Sequence, residues 1–114
     1  MKHTLQLTPD ETTWLAQYRQ ALSERHPGAV VRMLVYGSKA RGESHPDSDV
    51  DVLLVVRNDV GPLKRPLRNI GYELAATSDA VPSILAYTED EWRERTNKGY
   101  PFQHAVERDG VSVL

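Results

Sequence analysis

Val-Val-Arg-Met-Leu-Val-Tyr-Gly-Ser-Lys-Ala-Arg-Gly-Glu-Ser-His-Pro-Asp-Ser-Asp-Val-Asp-Val-Leu-Leu-Val-Val, residues Val30 to Val56, is the stretch that decides how this 114-residue chain folds. It holds two apolar runs of strand length, Val30–Tyr36 and Val50–Val56, both rich in β-branched residues, the second strand starting at Asp49. After its two acids the second run is almost continuously apolar. That pattern predicts a strand buried on both faces. Between the runs lie Gly37 and Ser38, a short helical turn through Lys39, Ala40 and Arg41, then Gly42 and the Ser44-His45-Pro46-Asp47-Ser48 loop.

The polar residues at the ends of these runs suggest chemistry. Alternate side chains of a strand share a face, so Asp49 and Asp51 point the same way, their Cα atoms about 6.6 Å apart. Neighbouring carboxylates repel unless a cation neutralises them. Oxygen ligands of this kind suit Mg²⁺, or Mn²⁺, held by one or two carboxylates together with substrate phosphates. Gly37 allows the backbone to approach a ligand closely. The N–H groups of the turn that Ser38 opens form a candidate phosphate cradle. Arg41 has two equal options: a fork of donors for the phosphates, or a partner for an acid that braces the turn. Lys39 reads as plain surface charge. The bland alternative for Asp49 and Asp51 is a pair of solvated acids at the start of a strand.

Gly37-Ser38, ten intervening residues and Asp49-x-Asp51 resemble the nucleotidyltransferase superfamily, which includes DNA polymerase beta. Arg41, Gly42 and Ser48 match as well, and the likeness extends through Pro101-Phe102 to Glu107-Arg108-Asp109-Gly110-Val111. Within the superfamily the chain is most similar to the minimal nucleotidyltransferases (MNT), the antitoxin half of HEPN/MNT toxin–antitoxin pairs. The resemblance implies a small mixed sheet with helices packed mainly on one side and the active site at one edge. It implies Asp49 and Asp51 as catalytic metal ligands, and Gly37, Ser38 and Arg41 as nucleotide-binding residues. ATP would be the substrate, and a HEPN toxin the protein partner. One departure stands out. The superfamily usually has a third acid on a later strand, and by register from Thr88 and Trp92 that position falls on Ser83. Asp79 is a nearby acid, but it is four residues too early.

Size and composition narrow the possibilities. The length fits one nucleotidyltransferase domain spanning residues 1–114, with a core that needs no staples. A net charge of −2 argues against a sequence-independent nucleic-acid binder. Arg57, Lys64, Arg65 and Arg68 make a basic cluster that reads first as a solvated helix face. The absence of cysteine excludes disulfides, thiolate metal sites and a cysteine nucleophile. The N-terminus lacks the apolar block of a signal peptide, and no apolar run reaches the ~20 residues of a membrane span. A cytoplasmic location is the expectation. His3, His26, His45 and His104 match neither zinc spacing nor a triad, and only His45 is near enough in sequence to touch a phosphate.

Outside the central stretch, Thr8-Pro9-Asp10-Glu11 is a capping box that predicts a helix ending near His26-Pro27-Gly28. Asn58 to Pro62 is turn chemistry, followed by a helix from Leu63 or Pro66 to Ala76. Val81–Tyr87 is a third strand. Thr88-Glu89-Asp90-Glu91 caps a helix carrying Trp92, Pro101 starts a short helix that Gly110 ends, and Val111–Leu114 is a last edge strand or a docking tail. Pattern alone gives α/β or α+β.

Three functions are compatible with these residues. The first is transfer of AMP from Mg–ATP to a hydroxyl, with a tyrosine of a HEPN toxin as the acceptor. The second is an interaction protein of the same fold that silences its partner by binding, its catalysis weak or absent; Ser83 favours it. The third is a small-molecule transferase of the aminoglycoside-modifying kind, which would need a helical partner subunit. Homo- and hetero-oligomers are both open.

Overall fold

The computed structural model describes residues 5–43 and 48–114. A four-stranded mixed sheet runs in the order β3-β2-β1-β4, formed by β1 (Val30–Tyr36), β2 (Val50–Val56), β3 (Pro82–Thr88) and β4 (Val111–Ser112). β1 pairs antiparallel with β2 and with β4, whereas β2 and β3 are parallel. Parallel neighbours require a crossover. Here it is a 3₁₀ segment, Asn58–Leu63, leading into helix α3 (Lys64–Ala75). The turn expected at Asn58 to Pro62 is thus wound into that segment.

Side-chain alternation divides the sheet into two faces. Val50, Val52, Leu54 and Val56 of β2 join Met33 and Val35 of β1 in the larger core, under α1 (Pro9–Arg25) and α3. Leu53 and Val55 face the other way with Leu34. Trp92 of α4 (Glu89–Asn97) and Val106 of α5 (Pro101–Asp109) close on them. β2 is accordingly buried on both faces from Val52 onward. The two longest helices share one face; the two shorter ones lie on the other and cover the sheet around Leu53 and Val55.

Both capping boxes form. Thr8 Oγ1 accepts from Glu11 N–H and Thr88 Oγ1 from Glu91 N–H, and each glutamate accepts the reciprocal bond. α1 and α3 are bolted together: Trp14 Nε1 donates to Gly71 O (2.9 Å) and Tyr18 Oη to Leu67 O (2.8 Å). A Cβ at Gly71 would stand 2.6 Å from Ile84 Cδ1 and 2.8 Å from the Tyr18 ring, so glycine permits this close approach. Tyr72, one residue on, covers the open edge of β3, its hydroxyl accepting from Ile84 N–H at 2.9 Å. Among the described residues no helix is long and apolar enough to cross a membrane.

Candidate active site

The site is set by the β1–β2 pairing. Tyr36, the last residue of β1, lies opposite Asp51, the second residue of β2. Gly37 therefore turns directly beside the Asp51 carboxylate. Its backbone has φ 74° and ψ −153°, a region essentially reserved for glycine. A Cβ placed there would run into Asp51 Oδ2. Helix α2 (Ser38–Arg41) follows, so Ser38 comes directly after the glycine that packs on Asp51.

Asp51 is half-buried, while Asp49 is exposed just ahead of β2. Burial first, and the Asp49 charge second, push the Asp51 carboxyl above its ordinary value; Arg41 partly offsets them. Among the described residues, the causes that raise this acid outweigh the one that lowers it. On its other side β2 pairs with β3, and the neighbour of Asp51 is Ser83. Asp79 stays in the turn before β3 and is exposed. Among the described residues no group of three His, Cys, Asp or Glu converges. Two carboxylates, one partly desolvated, beside a turn with no side chain in the way fit one divalent cation that also binds substrate phosphate.

The nucleotidyltransferase domain family model matches residues 15–105, well over half of the chain. The chain belongs to the nucleotidyltransferase domain family. A candidate nucleotidyltransferase from Sulfolobus solfataricus has a similar fold, with a TM-score of 0.50 at 13% identity, covering 94% of this chain and 87% of that one. No curated protein sequence matches. Family membership supports transfer of a nucleotidyl group as the general chemistry.

Within this nucleotidyltransferase domain the turn residues behave differently from one another. The N–H groups of Ala40 and Arg41 both donate to Gly37 O at 3.1 Å. Two donors of the expected phosphate cradle are thus spent inside the turn, which leaves Ser38 at its start to meet a ligand. Arg41 is exposed, and its Nε pairs with Glu43 Oε2 at 3.3 Å. It takes the bracing option in this structure while still lying near enough to Asp51 to act on its charge.

Lys39 overturns its expected place. It is not surface charge: it is 1% exposed, and its Nζ lies 3.0 Å from Glu11 Oε1, itself buried. The physical reason is the chain before α1, which lies across α2 and donates from Gln6 N–H to Lys39 O at 2.9 Å. A lysine between a serine and an alanine gives no sequence signal of such burial. His45 falls in residues 44–47, outside the described residues.

The basic cluster is partly neutralised. Arg57 pairs with Asp59 at 3.0 Å and Lys64 with Glu91 at 2.9 Å. Two aromatic residues near the site escaped sequence reasoning. Tyr36 shares the Asp51 face, and Phe102 packs against it. Pairing the two apolar runs as antiparallel neighbours would have found Tyr36. Nothing local in the sequence brings Phe102 to it.

Proposed function

We propose that this domain transfers AMP from ATP to a hydroxyl on a partner protein, a tyrosine of a HEPN toxin, and acts as that toxin's antitoxin. The observation that carries the reading is the packing of Gly37 against Asp51, with Asp49 two residues away and Ser38 opening the next turn. Asp49 and Asp51 would hold Mg²⁺ or Mn²⁺, which supplies charge neutralisation for the phosphates and the departing pyrophosphate. Ser38 and its peptide group would position the triphosphate tail. The acceptor oxygen bonds to the α-phosphorus as the bond to the bridging oxygen breaks and pyrophosphate leaves. Positioning and electrostatics account for most catalysis of this kind.

The acceptor's proton needs a destination. Ser83, beside Asp51, offers no carboxylate. The proton then passes to water or to a group on the partner. A partner that supplies part of the site also suits a chain of this size.

Incubation with Mg²⁺ and α-labelled ATP should label the partner with AMP, and Asp49→Asn with Asp51→Asn should abolish labelling. Equal labelling by the double variant would overturn the reading. Ser83 specifically favours the second reading, neutralisation by binding alone. Under that reading the same double variant still binds and silences the partner.

A further inference from the structure

The sheet face that presents Asp51 continues into a ledge of aromatic rings that the phosphate chemistry leaves unused. Tyr36, opposite Asp51, is half-buried. The Phe102 ring meets Tyr36 edge-on, centroids 5.5 Å apart and planes at 82°. Trp92 braces Phe102 from another side at 6.3 Å, and Tyr87 braces Trp92 at 5.3 Å. Despite these neighbours Phe102 remains 37% exposed.

A lone exposed phenylalanine is ordinary surface. This one is held by two perpendicular rings at the start of α5, on the face where a nucleotide's phosphates would sit. One strand spacing, about 4.8 Å, separates Asp51 from Tyr36, and the Phe102 ring touches both Tyr36 and Trp92 on the same sheet face.

Resting on the reading of Asp49 and Asp51 as the phosphate and cation site, we infer that the Tyr36–Phe102 ledge is where the base of the bound nucleoside triphosphate stacks. Every base has a π-face, so a ledge of this kind tolerates any base and discriminates by ring area. Purine triphosphates therefore bind more tightly than pyrimidine ones, with ATP ahead of CTP.

The test separates base from phosphate. Calorimetric titrations with Mg–ATP and with Mg–tripolyphosphate are run on the wild type, Phe102→Leu and Phe102→Trp. Leucine keeps apolar packing on Trp92 and removes the π-face. The expected result is an ATP affinity on the order of tenfold weaker in Phe102→Leu. Tripolyphosphate binding stays unchanged, and ATP affinity is retained in Phe102→Trp. An unchanged ATP affinity in Phe102→Leu, or equal losses for ATP and tripolyphosphate, would overturn the inference. The wild type supplies a check that does not depend on a variant folding: equal affinities for ATP and CTP also count against the ledge. If the wild type binds tripolyphosphate but ATP no more tightly, the stacking inference fails while the phosphate site stands. If it binds neither, both fail.

Discussion

Gly37 and Asp51 occupy space that a single added methyl group would make them contest. A Cβ on Gly37 would strike the Asp51 carboxylate, and the Gly37 backbone already sits where other residues pay about 1–3 kcal/mol. Gly37→Ala should therefore destabilise the fold by at least that range and weaken Mg–ATP binding. Part of the penalty belongs to the carboxylate. In an Asp51→Ala background the cost of Gly37→Ala should shrink, leaving a coupling of about 0.5–3 kcal/mol in a double-mutant cycle read by urea denaturation. Zero coupling would mean that the turn relaxes away from the strand.

Asp51 bears an electrostatic cost that a bound cation would relieve. Burial and the Asp49 charge raise its carboxyl above the unfolded value. A raised acid favours the fold at low pH and loses that contribution as pH rises through its folded value. At neutral pH the charge opposes folding. Asp51→Asn should thus melt higher than the wild type in metal-free buffer, by differential scanning fluorimetry. Added Mg²⁺ should raise the wild-type Tm and leave that of the variant unmoved. A lower Tm for the variant without metal would contradict this account of the charge.

Much of this arrangement was legible in the sequence, for identifiable reasons. β1 and β2 announce themselves by mostly apolar runs rich in β-branched residues, and both capping boxes by threonine followed three residues later by glutamate. Counting back from Thr88 and Trp92 put the third-acid position on Ser83, and the pairing of β3 with β2 adds that this serine stands beside Asp51. What the sequence hid depends on tertiary contact. Lys39 has ordinary neighbours in sequence, and its burial comes with the pairing to Glu11 of α1 and the contact of the preceding segment at Gln6. The approach of Phe102 to Tyr36 joins residues far apart in the chain, through the docking of α5 on the sheet. The folding of Ala40 and Arg41 N–H groups back onto Gly37 O, at the expense of the expected cradle, is a matter of turn geometry that residue types do not fix.

The buried Glu11–Lys39 pair ties the start of α1 to the turn that carries Ser38. Removing one member leaves an uncompensated charge in the interior. Lys39→Ala should cost about 3–5 kcal/mol, measured by urea denaturation. Replacing both members with apolar residues of similar volume, Glu11→Leu with Lys39→Met, should recover much of that loss. The cap on α1 would still lack the bond from Thr8 N–H to Glu11 Oε1. A single variant with wild-type stability would show that the pair is not closed in solution.

Glu91 predicts a pH dependence of the opposite sign to Asp51. The Thr88 backbone N–H first, and the Lys64 ammonium next, hold its carboxyl below the usual glutamate value. A lowered acid stabilises the fold above its unfolded value, near pH 4.3, and loses that contribution as pH falls through the folded one. Glu91→Gln should flatten part of the acid limb of the stability curve. Its cost at neutral pH should be modest, about 1 kcal/mol or less, because the pair is partly solvated. An unchanged acid limb would remove Glu91 from the acid response.

The most direct test of the central claim is the binding of ATP by titration calorimetry, with and without Mg²⁺, to the wild type and to the Asp49→Asn, Asp51→Asn variant. The wild type should bind ATP strongly only when Mg²⁺ is present, and the double variant should show no gain from the metal. The same Mg²⁺-dependent gain in both proteins would contradict the assignment of Asp49 and Asp51 as the pair that holds the cation and the phosphates.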